Sequence, residues 1–165
     1  MKELLENYTS YNLWANTKLS EFLKTAPAEA LDLEQKSSFP SVRLTVYHMW
    51  DAEAIWYNRL LGTSFKEWPS AKYTGKGLDF IPDFLKQSML FDEYVKLLSD
   101  EEIVSRYSYS NMEEKEFSNR RSDTILHCIN HSTFHRGQAV TMLRGAGFTE
   151  LDSTDYVMFC REMNL

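Results

Sequence analysis

The sequence predicts an all-α protein: a four-helix bundle with a short C-terminal helix and a small hairpin before the fourth helix. Two observations predict this fold class. Apolar residues recur at helical spacing along four long segments. The connections between these segments are modest in length, as connections in helix bundles are. A chain of 165 residues without an internal repeat or long linker is expected to form a single domain, residues 1–165.

The first two helices are predicted from their apolar periodicity and from the residues that stop them. Apolar residues recur every three or four positions over residues 4–23, and Pro27 breaks the pattern. The second helix is predicted over Ser41–Leu61, with Gly62 as its C-terminal stop. Residues 62–78 are rich in glycine and proline, which predicts a loop.

The next segment is predicted to hold a third helix and the hairpin. The third helix covers about Pro82–Leu98, and its first turn tolerates the proline because that position needs no N–H. Polar and apolar side chains alternate in part over residues 106–119, which favours a short hairpin.

The fourth helix has the clearest pattern. Ser122 is predicted to cap its N-terminus, apolar residues recur over Ile125–Leu143, and Gly145 or Gly147 is predicted to end it. A final short helix is predicted over Asp155–Met163.

Charge and composition argue against two classes of partner. The formal net charge is −6, from 24 acidic and 18 basic residues, and the one basic cluster is the pair Arg120-Arg121. Nucleic-acid binding requires a larger basic surface to neutralise phosphates. No apolar run approaches the ~20 residues that cross a bilayer, and the first residues carry two glutamates where a signal peptide has an apolar stretch. We expect a cytoplasmic protein that binds neither nucleic acid nor membrane.

All four histidines lie in two of the predicted helices: His48 in the second, and His127, His131 and His135 in the fourth. Residues four apart lie one above the other on a helix face, with Cβ atoms about 6 Å apart. Two imidazoles in this arrangement can turn their nitrogens toward one ion at Zn–N distances of about 2.0–2.1 Å. Histidines with this spacing also occur on solvated helices, so the spacing alone does not identify a metal site.

The helical wheel separates the four histidines. On the fourth helix, His131 and His135 border the apolar arc, whereas His127 points further toward solvent. The arc of the second helix that contains His48 also holds Leu44, Ala52, Ile55 and Trp56. His48 is therefore predicted to point inward, where an imidazole needs partners for both ring nitrogens.

One divalent ion shared by His48, His131 and His135 is the simplest account of three such histidines on facing helices. The alternatives are a core His48 bonded to a carbonyl, and a site that uses His127, which the wheel assigns to a peripheral role. Three protein ligands leave a coordination position open for water or substrate, as in catalytic zinc sites. A ligand set without a thiolate fits Zn²⁺, Ni²⁺ or Fe²⁺.

Three other polar residues are candidates for roles near this site. Arg136 falls inside an apolar arc, so it must pair with Asp51 or Glu53, lie at a subunit interface, or extend to the surface. Gln138 can bond a ligand histidine or a metal-bound water, or can be solvated. Glu53 can act as a general base on metal-bound water, although its wheel position is roughly 140° from that of His48.

Four stretches of the chain resemble the DinB-like (YfiT-type) metalloprotein family. The segment Asn130–Gln138, NHSTFHRGQ, is similar to the family signature NHxxxHRGQ. The second-helix motif of the family is similar to the set His48, Glu53, Trp56, Arg59 and Leu60. Asn12–Asn16 and Asp152–Tyr156 resemble its first helix and its C-terminal segment.

The resemblance implies a four-helix bundle, often a homodimer, with a divalent metal ion on the histidines that match His48, His131 and His135. Zn²⁺ and Ni²⁺ are the expected metals, with Fe²⁺ next. Some relatives are transferases or isomerases that use low-molecular-weight thiols such as bacillithiol or mycothiol, and many have no established activity. The expected function is a metal-dependent thiol S-transferase or hydrolase acting on a small molecule. The alternatives are a binding protein without turnover and a structural interaction module.

Overall fold

The computed structural model describes residues 1–63, 67–75 and 77–165. In chain order these residues form α1 (Lys2–Thr25), α2 (Ala28–Asp32), α3 (Val42–Leu60), a 3₁₀ turn (Pro69–Lys72), α4 (Ile81–Leu97), α5 (Asp100–Val104), β1 (Arg106–Ser110), β2 (Glu116–Arg120), α6 (Arg121–Gly145) and α7 (Tyr156–Met163). The predicted helical bundle with its hairpin and short last helix is confirmed. Residues 64–66 and 76 of the predicted loop lie outside the described residues.

Each of the four long helices packs against two others: α1 lies against α4 and α6, and α3 lies against the same two. One buried apolar cluster includes Leu19, Val46, Phe84 and Leu143, and a second includes Ala15, Phe91, Ile125 and Phe159. A fully buried side chain of this kind contributes about 1.5–3 kcal/mol, so these two clusters are the main stabilising feature of the bundle. In the described part of the chain, no helix has both the length and the apolar character needed to cross a membrane.

The ends of α3 follow the predicted signals. The side chain of Ser41 accepts a hydrogen bond from the backbone N–H of Leu44 at 3.3 Å, which satisfies one free donor of the first turn. Gly62 follows the helix with a φ of +69°, a conformation that glycine adopts without strain. These two signals define the ends of α3, and His48 lies in its second turn.

The start of α6 differs from the prediction. Ser122 was expected to cap this helix, but it lies buried in the first turn, and the helix begins at Arg121 directly after β2. The backbone N–H of Arg121 donates to the carbonyl of Ser105 at 3.0 Å. This contact between neighbouring segments satisfies the first free donor of the helix, and no side chain caps the first turn.

The hairpin is anchored on the N-terminal part of α6. Tyr107 pairs with Asn119 and Tyr109 with Phe117 across the two antiparallel strands. The hydroxyl of Tyr107 lies 2.9 Å from Oγ1 of Thr124 on α6. The strand β1 also contacts α3, so the hairpin closes the edge of the α3–α6 pair at the end where α3 stops.

Candidate metal centre

Three histidines from the facing helices α3 and α6 lie together, and their ligand nitrogens are all within 4.8 Å of one another. The Nε2 atoms of His48 and His131 are 3.0 Å apart. The ring centroid of His135 lies 4.6 Å from that of His48 and 4.5 Å from that of His131. Two nitrogens on a tetrahedral ion with bonds of about 2.0–2.1 Å are about 3.3 Å apart. The three imidazoles can therefore hold one divalent metal ion.

The wheel predicted that His48 points inward, and in the structure it is half-buried. Leu44, on the same arc, is 43% exposed, and only Ile55 of that arc is buried. The core-facing side of α3 carries Val46 and Trp50 instead. The arc with His48 borders α6 along the open edge of the bundle, so His48 lies between the core and the surface.

On α6 the three histidines differ in exposure. His135 is buried, His131 is half-buried and His127 is exposed, in the order that the wheel predicted. The ring of His127 lies 5.9 Å from that of His131 but does not belong to the group of close ligand nitrogens. Instead it meets the ring of Trp56 edge-on at 5.0 Å.

Gln138 fixes the orientation of His135. The side-chain Nε2 of Gln138 donates to Oγ of Ser38 at 2.8 Å, and its Oε1 lies 2.8 Å from Nδ1 of His135. Nδ1 is therefore the protonated nitrogen, and Nε2 of His135 keeps its lone pair. Gln138 was predicted to bond a ligand histidine or a metal-bound water, or to be solvated, and the structure shows the bond to the candidate ligand His135. Hydrogen bonds of this kind orient metal-binding imidazoles.

The surroundings favour the neutral forms of His48 and His131. Burial, followed by the charges of His135, His48 and His127, lowers the pKa of His131 to about 4. Burial and then His135 also lower the pKa of His48. Neutral imidazole is the form that binds a metal ion. The Nε2 atoms of His48 and His131 are so close that at most one of them can carry a proton. The lone pairs that converge there are therefore suited to binding a cation.

An apolar cavity of about 330 Å³ opens beside His48. Its walls are formed by Phe39, Leu44, Tyr47, His48, Asp51, Trp68, Ser70 and Ala71. Phe39 stacks on the ring of His48 with centroids 4.2 Å apart and meets His135 edge-on at 5.7 Å. Phe39 therefore covers the ring of His48, and both residues line a cavity of small-molecule size.

Arg136 lies inside the subunit and outside the histidine group. It is 1% exposed, and its Nη1 donates to Oδ1 of Asn12 at 2.9 Å and to Oδ1 of Asn16 at 2.8 Å. The predictions that Arg136 extends to the surface or lies at a subunit interface are therefore wrong. So is pairing with Asp51, whose carboxylate accepts bonds from the N–H and hydroxyl of Ser70.

Glu53 belongs to the same buried network as Arg136. Nδ2 of Asn12 donates to its Oε2 at 2.7 Å, so one asparagine of α1 joins the carboxylate to the guanidinium. Burial raises the pKa of Glu53 to about 7, against the opposing effects of Ser88, Asn12 and Arg136. Glu53 neither belongs to the histidine group nor lines the cavity beside it. This placement favours a role in the core.

Sequence reasoning missed Phe39 and Ser38. Both precede α3 in a segment without helical or strand periodicity, so no pattern assigns their side chains to a face. An aromatic residue just before the Ser41 cap was the one available hint, because residues before a cap often pack back onto the helix.

The fold and the site together define a class of protein: helical bundles with a candidate three-histidine metal centre between two facing helices. The sequence model described as the DinB family matches residues 1–162, and the chain belongs to the DinB family. Protein DinB of Bacillus subtilis (strain 168) is 27% identical over 157 residues, which cover 90% of this chain and 89% of that protein. A crystal structure of a DinB-like protein from Bacillus cereus ATCC 10987 superposes with a TM-score of 0.62 at 18% identity. It covers 84% of this chain and 90% of the other, and it shows the same fold.

The raised pKa of Glu53 makes stability depend on pH in a defined direction. In the folded state the carboxyl group of Glu53 keeps its proton up to about pH 7, whereas an unperturbed glutamate has a pKa of 4.5. The stabilising contribution is therefore complete below about pH 4.5 and is lost as the pH rises through about 7. Relative to Glu53→Gln, the metal-free wild type should lose about 3 kcal/mol of unfolding free energy between pH 4.5 and pH 8.

Urea denaturation of both proteins at several pH values measures this difference, because the two proteins contain the same histidines. Glu93→Gln is the matched control, since Glu93 on α4 is exposed and water solvates its carboxylate in both states. A difference between wild type and Glu53→Gln that stays constant with pH would contradict the assignment.

Proposed function

We propose that the protein binds one divalent metal ion through His48, His131 and His135 and uses the open side of this centre for chemistry on a small molecule. The observation that supports the proposal is the convergence of three imidazoles whose ligand nitrogens lie within 4.8 Å of one another, beside a cavity of about 330 Å³. The reaction class that fits is thiol S-transfer or hydrolysis. The nitrogen-only donor set suits Zn²⁺ or Ni²⁺, and Fe²⁺ next.

When bound at three imidazoles, such an ion lowers the pKa of a coordinated water or thiol toward neutrality and so supplies a nucleophile. The residues of the chain do the rest. Gln138 holds His135 in one tautomer, and the low pKa of His131 keeps that ring available as a ligand down to acidic pH. Phe39 covers the rings of His48 and His135 on one side, which excludes water there and leaves the cavity as the approach for substrate.

The cavity wall indicates what the substrate must offer. Leu44 and Trp68 expose apolar surface at the opening, while Asp51 is held by Ser70 and so is already hydrogen-bonded. Burial raises the pKa of Asp51. A small electrophile with an apolar or aromatic portion fits this lining. Use of a low-molecular-weight thiol as co-substrate rests on the family resemblance.

A non-catalytic binding protein remains the second candidate, because the same cavity and ion would capture a small ligand without turnover. The third candidate, a structural module stapled by metal, has less support. The two buried apolar clusters run the length of the bundle, so α3 and α6 are already packed together without an ion. The homodimer remains an expectation from the resemblance alone, since Arg136 is buried and donates to Asn12 and Asn16 within one subunit.

Single alanine variants test the ligand set. His48→Ala, His131→Ala and His135→Ala should each lose stoichiometric metal binding, because two imidazoles hold an ion far more weakly than three. His127→Ala is the matched control and should retain one equivalent, since His127 lies outside the close group. Elemental mass spectrometry on purified protein, with circular dichroism to verify folding, measures both. Loss of metal in His127→Ala, or its retention in any of the other three, would reassign the site.

Chelation separates the three candidate functions. If the site is catalytic, removing the ion should lower the unfolding free energy only by ligand linkage, about 2.7 kcal/mol at a metal concentration 100 times Kd. Turnover of a thiol–electrophile pair, or of a hydrolysable ester, should disappear and return on addition of Zn²⁺ or Ni²⁺. The measurements are a thermal melt and a turnover assay on the same samples.

Each contrary outcome of the chelation experiment has a definite meaning. Unfolding of the bundle on chelation would make the ion a structural staple and would remove the enzyme proposal. A folded, metal-loaded protein without turnover on any pair would favour the binding protein.

A further inference from the structure

A second and larger cavity, of about 510 Å³, lies between the C-terminal turn of α3 and the hairpin. The end of α3 contributes Ile55, Arg59 and residues 62–63 to its wall, and the hairpin contributes residues 108–112 and Glu114. It shares no lining residue with the cavity beside His48. Arg59 follows His48 by eleven residues on the same face of α3, about 16 Å further along the helix. The second cavity is therefore separate from the candidate metal centre but opens on the same side of the bundle.

Arg59 is held in place by aromatic rings. Its guanidinium carbon lies 4.5 Å from the ring centroid of Trp56 and 4.9 Å from that of Tyr109. The two rings meet edge-on at 5.4 Å, and Trp56 also contacts His127. Stacking of this kind fixes the plane of a guanidinium without using its N–H donors. The side chain is thus preorganised, and its donors stay free for a ligand.

Among the described residues, no carboxylate forms an ion pair with Arg59. Over residues 1–63, 67–75 and 77–165, none of the ion pairs within 4.0 Å includes it, and none of its N–H groups donates to a protein acceptor. Arg59 is half-buried, so water solvates its charge incompletely. The planar fork of a guanidinium in such a place matches a carboxylate, which it binds through two parallel hydrogen bonds.

The rest of the wall suits the remainder of an organic anion. The wall includes Ile55, Tyr109 and Met112, which are largely apolar, and the small polar residues Ser108 and Ser110. Oδ1 of Asn111 accepts from the backbone of the hairpin turn.

Glu114 is the one carboxylate among the described residues of the wall. It is exposed and has a φ of +62°, at the turn of the hairpin. Its negative charge opposes an anion in the cavity, although water screens it. Removing that charge should therefore strengthen the binding of an anion in this cavity, which can be tested independently of Arg59.

We propose that this cavity is a binding site for a small organic carboxylate with an apolar body, and that Arg59 recognises its carboxylate. Arg59 also lies in the last turn of α3, where a cation is favoured by the helix dipole whether or not a ligand binds. A purely structural arginine would give no preference for anions over neutral molecules of the same shape. Charge discrimination is thus the property that distinguishes the two roles.

The probes are 1-naphthoate and 1-naphthamide, which share a shape and differ in charge. Isothermal titration calorimetry on the full-length protein should show that 1-naphthoate binds at least tenfold more tightly. Arg59→Gln should weaken naphthoate binding at least tenfold and abolish the discrimination. Arg59→Lys should restore it only in part, because an ammonium cannot form the bidentate pair. Arg144→Gln, an exposed arginine at the far end of α6, is the matched control and should behave as wild type.

Two further variants keep the test decisive. Glu114→Gln should strengthen binding of naphthoate but not of naphthamide, and this holds even if Arg59→Gln proves unstable in a thermal melt. The discrimination should also survive in His131→Ala, which separates this proposal from the proposed metal centre. The proposal would be overturned if the two probes bound with equal affinity or if naphthoate did not bind. It would also be overturned if a folded Arg59→Gln bound naphthoate as tightly as the wild type does. An unchanged preference in Glu114→Gln would do the same.

Discussion

The packing of α3 against α6 is the contact on which the rest of the structure depends. It brings His48 to the two histidines of α6, and both cavities open beside residues of α3. Apolar side chains at the two ends of the pair, such as Val46 with Leu143, and Leu60 with Ile125, belong to the buried clusters. The polar ring nitrogens thus lie at an interface whose stability comes from elsewhere, which is the arrangement expected of a functional site on a rigid scaffold.

The buried arginine ties this helix pair to α1. Arg136 follows His135 directly, and its bonds to Asn12 and Asn16 fix the turn of α6 on which His135 lies. Glu53 joins the network from α3 through Asn12. A buried charge without such partners would cost several kcal/mol. A one-residue rotation of α6 would break these bonds, so the network specifies the register that sets the three histidines face to face.

The sequence predicts the parts of this account that depend on local pattern. The i,i+4 spacing of His131 and His135, and the exposure of His127, follow from the periodicity of α6. The depth of His48 does not, because α3 has apolar residues on several sides and a wheel cannot decide which side borders the open edge. Asn12 and Asn16, to which Arg136 donates, lie 120 or more residues away from it, and Phe39 lies in an irregular segment. Such contacts are set by tertiary packing, which a single sequence does not display.

The central claim is that one ion is held by three imidazoles with a position left open, and X-ray absorption spectroscopy tests it most directly. Protein loaded with one equivalent of Zn²⁺ should give a first shell of nitrogen and oxygen only, with the multiple-scattering features of three imidazoles and at least one further light ligand from solvent. The two thiols, Cys128 buried and Cys160 half-buried, should contribute no sulfur at about 2.3 Å. A sulfur ligand, a fourth imidazole, or fewer than three imidazoles would contradict the account.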